Sequence, residues 1–191
     1  MAQIQANELK RKDNLLVDGQ PYTVLDVTFS SPSARGASTM VKARLRNLLN
    51  GTVQDKTFRT SEKFNEPDVE KVPAAFLYVS GNEYNFMDNA TYEEFMLTAE
   101  KLGDSKNYLK EGLEMQALKY NGVVVSLELP VVVELKVTET EPSIKGTSSS
   151  GRSTKRAVLE TGHEAQVPLY IESGTVVRVN TQTGEVTGRA S

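Results

Sequence analysis

One arginine stands in a loop-forming run of small residues, where its charge could reach a ligand. Residues 30–38 contain almost no large apolar side chain, and Arg35-Gly36 occupies the centre of that run. A guanidinium is permanently charged, bonds phosphate oxygens in a fork and stacks on nucleobases. Small neighbours allow close approach to another backbone, and Pro32 reduces the entropy lost on ordering. The sequence predicts a nucleic-acid contact at Arg35, and a plain solvated hairpin tip stays open as the alternative.

Three further cations follow this loop with the spacing of a strand. Lys42, Arg44 and Arg46 alternate with small or apolar residues. Because successive side chains of a strand point to opposite faces, these three share one face. That face would attract the same anion as Arg35.

Catalytic and metal-binding chemistry finds little support in the composition. The chain has no cysteine and one histidine, His163, which follows Thr161-Gly162 in a turn-like segment. A nucleophilic triad or a nitrogen and sulfur metal site needs partners that no motif supplies. We therefore expect a protein that is not an enzyme, with no metal and no cofactor. Glu93-Glu94 keeps an acid–base or magnesium site open as the rival reading.

The charge changes sign along the chain and suggests three segments. Residues 1–65 carry ten basic and six acidic residues, a net charge of +4, whereas residues 66–130 carry five and twelve, a net charge of −7. Residues 131–191 are balanced at seven and seven. Such a chain often meets a polyanion with one part only. We place the domain boundaries to give domains 1–66, 67–130 and 131–191.

Turn signals between short apolar runs predict an all-β protein. Asp18-Gly19, Asn50-Gly51 and Asn121-Gly122 are each flanked by strand-forming residues, as in β-hairpins. The first segment therefore reads as a small antiparallel barrel with a long loop between its second and third strands. The other two segments read as five-stranded oligonucleotide-binding (OB) barrels.

One segment shows helical spacing instead. Tyr92, Phe95, Met96, Ala99 and Leu102 repeat at the helical period. Thr91 and Glu94 could form a capping box at its start. The spacing predicts a helix over 92–102.

The chain also carries signals of its compartment. No stretch approaches the about 20 apolar residues that a membrane helix needs, and the first sixteen residues lack the apolar run of a secretion signal. Together with the absence of cysteine, this leads us to expect a cytoplasmic protein without a membrane partner.

An ordered set of motifs carries a resemblance to a known family. The set comprises Ser31-Pro32-Ser33-Ala34-Arg35-Gly36-Ala37, residues 41–51, Lys56-Thr57-Phe58-Arg59, residues 81–88, residues 139–146, Leu159-Glu160-Thr161-Gly162, Val167-Pro168 and residues 181–184. It spans essentially the whole chain in order. In this set the sequence resembles bacterial elongation factor P.

The resemblance implies an L-shaped monomer of three barrels. The N-terminal barrel would be SH3-like, of the KOW type, and two OB-fold barrels would follow, the first two domains being homologous to eukaryotic initiation factor 5A. Members bind the 70S ribosome between the peptidyl-tRNA (P) and exit (E) sites, touch the peptidyl-tRNA acceptor end and relieve stalling at consecutive prolines. The ribosome itself performs the chemistry.

The resemblance also assigns roles to individual residues. The acceptor end would be contacted by Pro32, Ser33, Ala34, Arg35, Gly36 and Ala37. The tRNA and rRNA backbones would be contacted by Lys42, Arg44 and Arg46. The exit-site codon or the 30S subunit would be contacted by Gly146, Thr147, Ser148, Ser149, Gly151 and Arg189.

Two departures from the family pattern bear on these roles. Many members have Pro-Gly-Lys-Gly at the loop tip, where this chain has Ser33-Ala34-Arg35-Gly36. Lysine-type modification is therefore excluded. Some members carry a rhamnosylated arginine, so the resemblance leaves open whether Arg35 is glycosylated and whether an arginine-modifying enzyme is a partner. The tip is most like the Ser-Pro-x-Ala-Arg-Gly-Ala pattern of the elongation factor P-like paralogues. In addition, Val186 replaces a tyrosine that the family has near Arg189.

A general single-stranded RNA-binding OB protein is the rival among binding proteins. Such a protein should interleave exposed aromatic residues with basic ones. The absence of tryptophan and the acidic middle segment make that reading the weaker one.

Overall fold

The protein is built almost entirely of short antiparallel strands. The structure, a computed structural model, describes residues 2–30, 39–142 and 153–191. Its strands are β1 (Gln3–Gln5), β2 (Asn14–Val17), β3 (Gln20–Ser30), β4 (Met40–Asn47), β5 (Val53–Arg59), β6 (Lys63–Asn65), β7 (Val69–Ser80), β8 (Glu83–Asp88), β9 (Glu94–Thr98), β10 (Glu114–Tyr120), β11 (Val123–Glu128), β12 (Val132–Thr140), β13 (Thr154–Leu159), β14 (Glu164–Pro168), β15 (Val176–Asn180) and β16 (Val186–Arg189). One short helix, α1 (Ala99–Leu102), and 3-10 turns at Ala6–Glu8 and Gly103–Tyr108 complete the elements of the described residues. The prediction of an all-β fold is confirmed.

Packing divides the chain into two compact units. The first unit comprises Met1–Val72, Glu100–Gly103 and Ala117–Ser126. The second unit comprises Pro73–Ala99, Asp104–Gln116 and Leu127–Ser191. The strands form four sheets, with the orders β2-β3-β4-β5, β1-β6, β11-β10-β7-β8-β9 and β14-β13-β12-β15-β16.

The first unit is centred on the four-stranded sheet. β2 and β3 are joined by Asp18 and Gly19, with φ of 52° and 75°. Two successive left-handed residues are what a type I′ hairpin requires, so the predicted turn is confirmed. Alternate residues of β3, β4 and β5 then form a core, whose members include Val24, Val41, Ala43, Leu45 and Phe58. The edge-to-face pair of Phe58 and Phe64, 4.6 Å between centroids, extends it.

The turn predicted at Asn50-Gly51 is longer than a two-residue hairpin. Residues 48–52 join β4 to β5, and only Gly51 among them has a positive φ, 76°. The Asn47 side chain accepts a hydrogen bond from the Leu49 amide at 2.8 Å, and the Gly51 amide donates to the Asn47 carbonyl at 2.9 Å. Asn47 thus organises the connection.

The helix predicted over 92–102 is wrong for most of its length. Residues Glu94–Thr98 form β9, and only Ala99–Leu102 is helical. In β9, Phe95 stacks on Phe86 of β8, 5.2 Å between ring centroids, and Leu97 is 2% exposed. Burial of residues 95 and 97 follows the strand period, so cross-strand packing overrides the helical spacing. The hairpin predicted at Asn121-Gly122, by contrast, is confirmed, with φ of 50° and 78°.

The second unit contains a core to which the segment before β10 contributes. Tyr108, 5% exposed, packs with buried residues of β12 to β15. The Thr161 hydroxyl donates to the Asn107 carbonyl at 2.6 Å, and the His163 ring meets Tyr108 edge to face at 5.8 Å. His163 follows Gly162 in the turn between β13 and β14, as expected for a turn residue.

Candidate RNA-binding surface

The candidate loop joins the far ends of β3 and β4. Ser30 and Met40 are paired across these strands. The predicted acceptor-end residues Pro32, Ser33, Ala34, Arg35, Gly36 and Ala37 lie outside the described residues.

The basic strand next to this loop has the predicted alternation. Val41, Ala43 and Leu45 of β4 are 0% exposed. Lys42 and Arg44 lie on the opposite, exposed face, and Arg46 on that face is half-buried. Their shared face is therefore confirmed, and their contact with RNA stays a prediction.

Carboxylates interrupt the positive charge of this face. Arg44 lies in register between Asp26 of β3 and Asp55 of β5. The ammonium of Lys42 is 3.6 Å from the Asp55 carboxylate, and Arg11 bonds Asp26 at 3.1 Å. Exposed ion pairs of this kind contribute little to stability. Because the carboxylates already lie beside these cations, a polyanion would have to compete with them.

Arg46 makes contacts that set it apart from its two neighbours. Its guanidinium Nη1 donates to the carbonyl of Leu102 at 3.0 Å and reaches the carbonyl of Lys101 at 3.5 Å. A Cβ on Gly103, where φ is +55°, would collide with Arg46 Nη2. Arg46 is thus bound to the end of α1 within the first unit, which its position in the sequence did not suggest.

The last predicted cation lies at the end of the chain. Arg189 of β16 is exposed and donates to the Tyr170 carbonyl at 3.3 Å, with its guanidinium carbon 5.3 Å from the Tyr170 ring centroid. The other residues predicted to contact the codon or the 30S subunit, Gly146, Thr147, Ser148, Ser149 and Gly151, lie outside the described residues. Tyr170 was not predicted, because only its place after the Val167-Pro168 motif marks it in the sequence.

Three models of known domains match consecutive parts of the chain. "Elongation factor P (EF-P) KOW-like domain" matches residues 5–64, and "Elongation factor P (EF-P) OB domain" matches residues 69–127. "Elongation factor P, C-terminal" matches residues 133–189. Elongation factor P of Moorella thermoacetica is 44% identical over 187 residues, which cover 98% of this chain and 100% of that protein.

The chain belongs to the elongation factor P family. Its role is therefore that of a translation elongation factor. Elongation factor P 1 of Geobacter sulfurreducens is 43% identical over 98% of this chain and 100% of its own length. Among solved structures, eukaryotic translation initiation factor 5A from Methanococcus jannaschii covers 66% of this chain and 93% of its own, with 20% identity and a TM-score of 0.45. The assignment to the elongation factor P family rests on the domain models and the sequence relatives.

The matched domain models of elongation factor P coincide with two of the sheets. The KOW-like model covers β2 to β5, and the OB model covers β7 to β11. Within the described residues, no three His, Cys, Asp or Glu side chains lie close enough together to hold a metal ion. No helix in the described part is long and apolar enough to cross a membrane.

Proposed function

We propose that this translation elongation factor binds the ribosome between the P and E sites, contacts the acceptor end of the peptidyl-tRNA and stimulates peptide-bond formation at consecutive prolines. The observation that supports the proposal is the pairing of Ser30 with Met40 at the ends of β3 and β4. Arg35 stands between these two residues in the sequence. A guanidinium at this point of the chain can orient a phosphate or a base at the transfer centre.

Orientation is a sufficient physical contribution in this case. Holding reactants in geometry can lower a barrier by several kcal/mol, up to about 7–11 in the best intramolecular cases. Proline is a constrained nucleophile, so a correctly held peptidyl-tRNA should matter most when proline must be joined. On this proposal the ribosome performs the reaction, and the factor is not an enzyme and carries no cofactor.

The three predicted domains take different parts in this proposal. Domain 1–66 presents the loop, with Lys42 and Arg44 beside it for the RNA backbone. Domain 67–130 is an acidic spacer. Domain 131–191 would contact the exit-site codon or the 30S subunit through Gly146, Thr147, Ser148, Ser149, Gly151 and Arg189. The protein acts as a cytoplasmic monomer. Arg46 is the weakest of the proposed RNA contacts, because its guanidinium already bonds the Leu102 carbonyl.

The loop-tip sequence supports assignment of the chain to the arginine-bearing elongation factor P-like branch or a close relative. Ser31-Pro32-Ser33-Ala34-Arg35-Gly36-Ala37 follows that branch's pattern, and an arginine cannot receive a lysine-type modification. A sugar attached to the Arg35 guanidinium would require an arginine-modifying enzyme. Intact mass and peptide mapping of the natively expressed protein test this point, because an unmodified Arg35 would refute it.

Translation of matched reporters tests the main proposal. Arg35→Ala is expected to remove most of the stimulation of a reporter with consecutive prolines and to leave a proline-poor reporter unchanged. Lys106→Ala, which removes an exposed cation from another segment, is the matched control and should behave as wild type. Equal effects of Arg35→Ala on both reporters would overturn the role of the loop.

A further inference from the structure

Phe29 is an exposed aromatic residue at the far end of β3. It is 51% exposed and stands one residue before the last pair of the hairpin, Ser30 with Met40. Its own partner on β4 is Val41, which is 0% exposed. Among the described strands, β2 pairs only with residues 20–23 of β3, so this end of β3 has a strand on one side only. Phe29 therefore lies at a sheet edge.

No other aromatic residue among the described residues of the first unit is exposed. The remaining aromatic residues of that unit are buried or half-buried, and they are Tyr22, Phe58, Phe64 and Tyr120. A single exposed apolar side chain is ordinary on a protein surface. The position of Phe29 is informative, because the connection that follows it in the chain contains Arg35, for which contact with the acceptor end is proposed.

The sheet face that carries Phe29 differs in charge from the opposite face. Its two paired rows at this end are Phe29, Val41 and Phe58, and then Val27, Ala43 and Lys56. The first row is apolar throughout, and in the second only Lys56 is charged, bonded to Asp18 at 3.2 Å. Asp26 and Asp55 lie on the opposite face, in register with Arg44. A nucleotide that reaches the Phe29 ring would therefore meet no carboxylate in either row.

We propose that the Phe29 ring stacks on an unpaired base at the acceptor end of the peptidyl-tRNA. This inference deepens the proposed function and rests on it. The acceptor end is single-stranded, and proteins bind single-stranded RNA by combining cations for the phosphates with aromatic rings on which bases stack. Arg35 would supply the cation and Phe29 the ring. Stacking fixes the plane of the base, so Phe29 would help to orient the end of the tRNA at the transfer centre.

Substitutions that remove or keep the aromatic ring test the stacking. Phe29→Leu keeps an apolar side chain and should reduce the stimulation of peptide-bond formation at consecutive prolines by about fivefold or more, the loss expected for one stacked base. Phe29→Tyr should stay within about twofold of wild type, because its ring can still stack. Tyr92→Leu removes an exposed ring from the second unit and should behave as wild type. Wild-type stimulation by Phe29→Leu, or an equal loss in Phe29→Tyr, would overturn the proposal.

Photo-crosslinking tests the contact without relying on the fold of Phe29→Leu. With Phe29 replaced by p-benzoylphenylalanine, irradiation of the 70S complex should give an adduct to the unpaired 3′ nucleotides of the peptidyl-tRNA. An adduct to rRNA or to protein alone, or none from a chain that co-sediments with ribosomes, would overturn the stacking. All proteins are compared in the same state of Arg35, verified by intact mass. A wild-type protein that does not stimulate the proline reporter would instead refute the proposed function.

Discussion

Arg46 of β4 donates a hydrogen bond from Nη1 to the carbonyl of Leu102, 3.0 Å away and 56 positions later in the chain. The acceptor is one of the last carbonyls of α1, and carbonyls at a helix end lack partners within the helix. A guanidinium is well suited to this end of a helix because it brings both donors and positive charge. The sequence predicted an RNA contact for Arg46, whereas in the structure its guanidinium bonds the Leu102 carbonyl.

Replacement of Arg46 should therefore cost stability. We expect Arg46→Ala to lower the free energy of unfolding by about 1.5–3 kcal/mol, the usual range for a hydrogen bond to a charged group. Arg44→Ala, an exposed neighbour on the same face, should change it by no more than about 0.5 kcal/mol. Urea denaturation followed by circular dichroism measures both. Equal losses would show that the bond to Leu102 is not the cause.

Two glycines with the same backbone conformation should respond differently to alanine. Gly19 and Gly51 have φ of 75° and 76°. A Cβ on Gly19 would meet nothing within 4 Å, whereas a Cβ on Gly51 would lie 2.9 Å from the Glu100 carbonyl oxygen. Gly19→Ala should cost about 1–2 kcal/mol for the left-handed conformation alone, and Gly51→Ala should cost at least about 1 kcal/mol more for overpacking. Thermal unfolding of the two variants compares them, and equal costs would contradict the close approach.

Stability at high pH should depend on Tyr108. Burial, and then the charge of Asp104, raise the pKa of the Tyr108 phenol above its ordinary value near 10. The folded protein thus holds this proton more tightly than the unfolded chain does. The resulting stabilisation is fully present below pH 10 and is lost as pH rises through the folded pKa.

The matched variant for this effect is Tyr108→Phe, which removes the titrating hydroxyl. Between about pH 9 and pH 11 its free energy of unfolding should fall less steeply than that of the wild type. Tyr92→Phe, at a side chain that is 79% exposed, should keep the wild-type slope. If the free energy of unfolding of all three proteins falls equally as pH rises, ionisation of Tyr108 is not the cause of the loss of stability at high pH.

If Lys42 and Arg44 contact RNA phosphates, their replacement should change the salt dependence of ribosome binding. Lys42→Glu and Arg44→Glu are each expected to weaken ribosome binding and to reduce the slope of log K against log salt by about 1, the amount for one lost phosphate contact. Asp55→Asn should tighten binding, because it frees Lys42 and Arg44 from a competing carboxylate. Lys106→Glu is the control for total charge. If the slope of log K against log salt is the same in all variants, Lys42 and Arg44 do not contact phosphates.

Local turn chemistry was predictable from the sequence, and the positions decided by tertiary packing were not. Asp18-Gly19 and Asn121-Gly122 formed the expected hairpins because the residues that tolerate left-handed φ are few. The prediction of a helix over 92–102 was wrong because Phe95 packs on a cross-strand partner, Phe86, which no local sequence pattern indicates.

For the candidate RNA-binding surface too, the sequence predicted local features but not contacts between distant residues. Alternation placed Lys42 and Arg44 on one exposed face, since a strand's side-chain period is fixed by its backbone. The same rule could not show that Arg46 meets the Leu102 carbonyl or that Asp26 and Asp55 flank Arg44. These contacts depend on residues far away in sequence. Tyr170 beneath Arg189 was missed for the same reason.

The position of Tyr108 has a consequence for how the protein can be divided. Its ring fills the core formed by β12 to β15, although it precedes the sequence boundary at residue 131 by more than twenty positions. A fragment that begins at that boundary would lack Tyr108. Its core would then contain a cavity lined by leucine and valine side chains. Exchange of the last domain between relatives would succeed only if the piece containing Asn107 and Tyr108 travelled with it.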